Sequence, residues 1–173
     1  GVNPGLLNGA VTVVKKLHDQ GHKAYFAGGA VRDLLLGNTI SDIDIVTCAS
    51  PQKIEQLFPK TIAVGKKFGV MIVVVDSINY EVATFRQESG YEDGRHPGKV
   101  SFTDKIHQDA ERRDFTVNAI FLNPLTEELI DFVQGKQDLE SRLIRTVGSP
   151  AKRFEDDKLR VIRAVRLASQ LGF

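Results

Sequence analysis

Tryptophan is absent from this sequence, cysteine and methionine occur once each, and neither sign of charge prevails: 23 Lys and Arg stand against 22 Asp and Glu, a formal net charge of +1 at pH 7. Each scarcity excludes something. The single cysteine, Cys48, has no intrachain disulfide partner, and no Cys/His cluster has the spacing of a zinc site, so a reducing, cytoplasmic setting is expected. Balanced charge supplies no global attraction to nucleic acid or to an anionic membrane, so any nucleic-acid site must be local. The longest apolar run, Phe68 to Val75, is far too short to span a bilayer and reads as a buried strand; no membrane segment is expected. The start at Gly1-Val2 lacks the regions of a signal peptide, and Leu171-Gly172-Phe173 ends inside or just after an apparent helix, so the chain reads as a fragment. With 42% hydrophobic content, 173 residues can bury one core, which implies one domain or one domain and the start of another.

What is present has order. Leu6, Ala10, Val14 and Leu17 recur at helical spacing before Gly21, which predicts an amphipathic first helix. Lys23 to Ala27 reads as a strand, Gly28-Gly29 as a tight turn, and Ala30 to Leu36 as a helix stopped by Gly37. In Asp42-Ile43-Asp44-Ile45-Val46 the acids alternate with apolar residues, which places both carboxylates on one face of a second strand. Ser50-Pro51 starts a helix through Phe58, and the runs 69–75 and 78–85 flank Asp76-Ser77 as a hairpin, so the sheet is mixed or antiparallel. The polar stretch from Gln87 to Gly98 reads as a long loop. Beyond it come a return to the sheet over Val100 to Thr103, a helical stretch around Gln108 to Leu122, a strand near Leu129 to Phe132 and a helix from Lys136 to Arg142. Ser149-Pro150 opens a last helical region, most strongly patterned from Asp157 to Leu171.

A lone Asp-x-Asp spacing is more often solvated than catalytic. Two carboxylates on one face also suit Mg²⁺, which prefers hard oxygen ligands and can bridge nucleotide phosphates. Gly28-Gly29-Ala30-Val31-Arg32-Asp33, ten residues upstream, supplies what a triphosphate needs: a backbone that permits close approach, a helix start with unpaired N–H groups, and a guanidinium. Gly29 and Arg32 are the candidates for that cradle. The aspartate signature of haloacid-dehalogenase-type phosphatases also fits Asp42 and Asp44. There, however, the acids follow an apolar strand run, whereas here Gly37-Asn38-Thr39-Ile40-Ser41 precedes them.

The stretch Gly28 to Gly37 followed by Ser41-Asp42-Ile43-Asp44 resembles the first motif of class II tRNA nucleotidyltransferases and bacterial poly(A) polymerases, members of the polymerase-β-like superfamily. Arg112-Arg113-Asp114-Phe115-Thr116-Val117-Asn118-Ala119 resembles the family's second motif, in which an arginine contacts the nucleotide and the Asp and Asn help select ribose; by placement that arginine is Arg113, with Arg112 as the alternate. Asp156-Asp157-Lys158-Leu159-Arg160, followed by Arg163 and Arg166, resembles the base-selecting amino-acid template, although Asp156 stands where the family usually has Glu. Residues 86–98 resemble a flexible loop that CCA-adding and A-adding members use to switch from CTP to ATP.

The resemblance implies an α+β nucleotidyltransferase head, with a mixed or antiparallel sheet and flanking helices, over residues 1–146, and the start of a helical neck over 147–173. It also implies Mg²⁺-dependent addition from CTP and ATP to a tRNA 3′ end, with Asp42 and Asp44 as catalytic metal ligands and no protein partner. Poly(A) polymerases and inactive RNA-binding relatives are the alternatives. Phe68-Gly69-Val70 resembles the tRNA enzymes. Arg160, Arg163 and Arg166 also have a reading of their own, because at 100° per residue they share a band of about 120°, with Val161, Ile162, Val165 and Ala168 opposite. Asp157 and Arg160 lie one turn apart and together offer the acceptor and donors that suit the Watson–Crick edge of a base. Glu81 reads equally as a third carboxylate near the metal or as a solvent-facing strand acid.

Overall fold

The computed structural model describes residues 1–89, 99–148 and 160–173, without the side chains of Ser89, Lys99, Arg160 and Val161. Helix α1 (Pro4–Asp19) begins where the Asn3 side chain accepts from the N–H groups of Gly5 and Leu6, and it buries Leu6, Ala10, Val13, Val14 and Leu17. Strand β1 (Ala24–Ala27) leads into α2 (Gly29–Leu36), which Gly37 ends in a left-handed conformation. After β2 (Asp44–Thr47), the Ser50 hydroxyl caps α3 (Pro51–Leu57).

Strand β3 (Thr61–Gly65) runs through a 3₁₀ turn, Lys66–Phe68, into β4 (Val70–Val75), which forms a hairpin with β5 (Ile78–Thr84). Asp76 and Ser77 both have positive φ there, as a two-residue hairpin turn of the twist-matched type requires. Strands β6 (Arg86–Ser89) and β7 (Lys99–Phe102) precede α4 (Ile106–Glu111), and β8 (Phe121–Asn123), β9 (Glu128–Ile130), α5 (Gly135–Glu140) and α6 (Arg160–Leu171) complete the described residues.

The main sheet has the order β3-β4-β5-β2-β1-β8-β9, in which only the β2–β5 neighbours run parallel. The expected α+β architecture with a mixed sheet is therefore the one observed. One sheet face, with Phe26, Ile45, Met71, Val73, Tyr80 and Val82, packs under the helices in a fully buried core. The other carries a smaller cluster of Tyr25, Ala27, Val46, Phe85 and Phe121 with Ala110 of α4. Among the described residues, no helix is long and apolar enough to cross a membrane.

Three local expectations are corrected, and a fourth falls partly outside the described residues. The stretch from Gln108 to Leu122 is not one helix: α4 stops at Glu111, the Asp114 carboxylate takes the Phe115 N–H at 2.7 Å, and Phe121 and Leu122 join the sheet beside β1. Residues 99–102 pair with 86–89 in a separate two-stranded sheet, so the polar stretch begins as strand and the segment after it does not return to the main sheet. Asp42 lies in the loop before β2, which starts at Asp44. The patterning expected from Asp157 becomes described helix from Arg160, and residues 149–159 lie outside the described residues.

Candidate active site

Asp44 opens β2, opposite Ala27 of β1. Ile45 pairs in parallel with Val82, so Asp44 and Glu81, each one residue earlier, adjoin on the same face. Loop residues Ile40 and Ile43 are buried and hold Asp42 beside them. The closeness of the three acids is visible in Asp44, whose pKa rises from 3.8 to about 6, first because protein displaces water from one side of it, then because Glu81 and Asp42 repel its charge, with Arg113 opposing. Its other side stays solvent-accessible. The three are neighbours rather than a closed cage, since no group of three acid, His or Cys side chains converges to hold a metal ion among the described residues.

The turn before α2 lies against this group. Gly28 has φ 67° and ψ −145°, a conformation that only glycine adopts readily. A Cβ built there would sit 3.7 Å from Arg113 Nη1 and 3.9 Å from Asp44 Oδ2, so a single backbone position touches the carboxylate and the guanidinium together. No side chain caps the start of α2.

Arg113 is fixed from behind. Its Nε and Nη2 donate to Asp109 Oδ1 at 3.3 and 3.0 Å, and its guanidinium lies 5.2 Å from the centre of the Phe121 ring. Asp109 is fully buried. Burial alone would raise its pKa, but the charges of Arg112 and Arg113 and the N–H of Arg86 hold it below the ordinary carboxylate value. Arg112, the alternate nucleotide contact, donates to Asp109 as well and stands 3.8 Å from Glu88, so it belongs to the support of Arg113. Sequence reasoning missed Asp109. Its local signal was partial: an acid three and four residues before two arginines at the C-terminal end of a helix can reach both, but the Arg86 N–H that completes its environment is distant in sequence.

Arg32 is buried and braced rather than open. Its Nε and Nη2 donate to the two Asp33 oxygens at 3.0 Å each and its Nη1 to Asn118 Oδ1 at 2.8 Å, which engages three of its five N–H donors. Asn118 Nδ2 reaches Asp114 Oδ1 at 3.5 Å. Gly29 stands under this guanidinium, 3.2 Å from Nη2 to the position of an added Cβ. The 3₁₀ turn that presents Asn118 is held in turn by Thr116, whose hydroxyl donates to buried Asp138 at 2.6 Å.

Asp157 lies outside the described residues, and Arg160 heads α6. Arg163 and Arg166 are on exposed positions of that helix. The helix packs through Ala164, Leu167 and Leu171 on Leu36, Phe115, Val117 and Leu139, beside the Asn118 turn. At 100° per residue that packed side adjoins Arg163, while Ile162 and Val165 are 55% and 68% exposed. Arg163 therefore borders the side of α6 that packs on the rest of the chain.

The Poly A polymerase head domain family matches residues 24–145. The CCA-adding enzyme of Bacillus pumilus (strain SAFR-032) is 52% identical over 164 residues, which are 95% of this chain and 41% of the relative. That of Bacillus subtilis (strain 168) is 47% identical with the same coverage, 95% and 41%. A crystal structure of the Bacillus stearothermophilus CCA-adding enzyme in complex with CTP aligns at TM-score 0.89 and 44% identity, covering 99% of this chain and 40% of that one. The Thermotoga maritima CCA-adding enzyme complexed with tRNA_CCA aligns at TM-score 0.74 and 30% identity, covering 95% and 37%. The chain thus spans about two fifths of the length of the curated relatives it matches.

Proposed function

The chain belongs to the poly(A) polymerase head-domain family, and on that premise we propose that it is the nucleotide-adding part of a template-independent tRNA nucleotidyltransferase, which extends a tRNA 3′ end with CMP and AMP from CTP and ATP. The observation that carries this reading is the contact of the Gly28 turn with both Asp44 and Arg113. It sets an acidic cation ligand, an approachable backbone and a fixed positive charge within reach of one triphosphate. Relatives named CCA-adding enzyme, from 45% to 52% identical, favour tRNA over a poly(A) acceptor.

In the proposed reaction the acceptor 3′ hydroxyl releases its proton to solvent as its oxygen bonds to the α-phosphorus, the bond from that phosphorus to the α,β-bridging oxygen breaks, and pyrophosphate leaves with its electron pair. Asp42 and Asp44 offer the hard oxygen donors that suit a divalent cation, with Glu81 as a third carboxylate beside them, and a cation there would offset the burial and the repulsion by Glu81 and Asp42 that hold Asp44 near 6. Mg²⁺ bound there would lower the pKa of the attacking hydroxyl and neutralise charge on the pyrophosphate. Arg113, anchored by Asp109, holds the phosphates or the sugar. Gly29 and the start of α2 cradle the triphosphate, and Arg32 orders Asn118 while keeping two donors for the same ligand. Asp157 and Arg160 select the base, and Arg163 and Arg166 extend their band. In this reading residues 1–146 are the head and 147–173 begin the neck.

The test uses the full-length protein on tRNA ending before, within and after CC, with one labelled nucleotide at a time. CMP and then AMP addition is expected, lost in Asp42→Ala. Long A tails would point to a poly(A) polymerase, addition of A alone to an A-adding relative, and tight tRNA binding without incorporation to an inactive binder. Asp157→Ala is expected to lose C-over-U and A-over-G selection more than overall affinity.

A further inference from the structure

The row of residues that carries the carboxylates continues across the sheet, away from Arg113. Ala27 pairs with Asp44, Asp44 adjoins Glu81, Glu81 pairs with Ile72, and Ile72 pairs with Ile62. Paired residues face the same way, so this is one continuous row; with strands about 4.8 Å apart, Ile62 stands about 14 Å from Asp44. Burial alternates along β4: Met71 and Val73 are buried on the packed face, whereas Val70, Ile72 and Val74 on this face are only partly so. Ile62, at the sheet edge, is 44% exposed.

At the two ends of β3 the surface becomes basic, and at the Lys66–Phe68 end aromatic as well. Lys60, Lys66 and Lys67 are exposed. Phe68 is 44% exposed, with Lys67 Nζ 5.5 Å from its ring centre. Phe102, 48% exposed, leans over Gly69, where an added Cβ would come within 2.7 Å of its ring. Glu55 pairs with Lys66 at 3.1 Å and leaves the local balance positive.

We infer that this strip, from Ile72 and Ile62 to Lys67, Phe68 and Phe102, is the track on which the unpaired 3′-terminal nucleotides of the acceptor RNA lie. The inference rests on the proposed nucleotidyl transfer. With the incoming triphosphate on the Gly28–Arg113 side of Asp44, the acceptor hydroxyl must approach from the Glu81 side, and this strip is the surface continuous with it. Exposed aromatic rings interleaved with ammonium groups match a single strand, whose bases stack and whose phosphates need counter-charge. A second copy of the chain would instead bring two sets of lysines together at the β3 edge, which opposes pairing.

The experiment is steady-state nucleotide addition by the full-length protein to an RNA acceptor lacking its last nucleotide, with Phe68→Ala and Lys67→Ala. Phe68→Ala keeps the backbone carbonyl that Arg86 Nη1 binds at 2.6 Å. It is expected to raise KM for the RNA about tenfold, the loss of one stacked base, with KM for the nucleotide and kcat unchanged. Lys67→Ala is expected to reduce the slope of log KM for the RNA against log salt by about 0.7, a change that a merely structural role would not produce. Addition by the wild type with RNA KM and salt slope unchanged in both variants overturns the track and spares the enzyme. A shift in sedimentation from dimer to monomer in the variants assigns the strip to self-association and also overturns it. A wild type that adds nothing overturns the enzymatic reading and this inference with it.

Discussion

Arg113 stands between two aspartates in opposite electrostatic states. Asp109, behind it, is fully buried yet held below the ordinary carboxylate pKa by two arginines and a backbone N–H. Asp44, in front, is open to water yet raised to about 6 by the protein around it and by two neighbouring acids. Burial alone would have predicted the reverse order. The difference teaches that partners decide how burial is felt: the rear carboxylate has two arginines and an N–H to offset its burial, whereas at the front one, two neighbouring acids add to the effect of burial and only Arg113 opposes them.

The largest effect expected from breaking this contrast is at Asp109. Asp109→Asn leaves two guanidinium groups without their shared anion and should cost about 3 kcal/mol of stability, measured by denaturant unfolding. The pH dependence follows in sign. Because the folded pKa of Asp109 is depressed, its contribution is present above its unfolded pKa and is lost as pH falls through the folded value, so the wild-type advantage over Asp109→Asn should vanish in acid.

Gly28→Ala comes next. Space is available, since the new Cβ would meet its neighbours no closer than 3.7 Å, but φ of 67° strains any side-chain-bearing residue. About 1–3 kcal/mol of strain is expected, seen as a raised KM for the nucleotide if the turn relaxes away from Asp44 and Arg113, or as lower stability if it does not.

These contrasts mark what the sequence could disclose. Helix α1, the Ser50 cap and the Asp76-Ser77 hairpin were legible because periodicity and turn chemistry are local. The Gly28 turn and Asp44 were legible as neighbours because consecutive strands so often pair. Asp109 was not singled out, since its worth depends on the Arg86 N–H, 23 residues away, closing over it. Arg32 was expected to face phosphate, and the structure adds that Asp33 and Asn118 engage three of its five donors; the partner 86 residues away leaves no local trace. The segment 108–122 misled because the competition of Asp114 for the backbone outweighs its helical spacing.

The smallest effect on stability belongs to Asp44. Its folded pKa lies above the unfolded 3.8, so its favourable contribution is complete below that value and is lost as pH rises through about 6, and at neutral pH its charge is a net cost. Asp44→Asn should therefore abolish nucleotide addition while raising the Tm of the metal-free protein slightly, by about 2 °C or less, because solvent screens an accessible carboxyl.

The most direct measurement is the carboxyl titration of Asp44 by NMR in metal-free protein, repeated in Glu81→Gln. A midpoint near 6 that falls when Glu81 loses its charge, and falls in the wild type when Mg²⁺ is added, is the result expected of acids gathered to share a cation. A midpoint near 3.8, indifferent to Glu81 and to Mg²⁺, would contradict it.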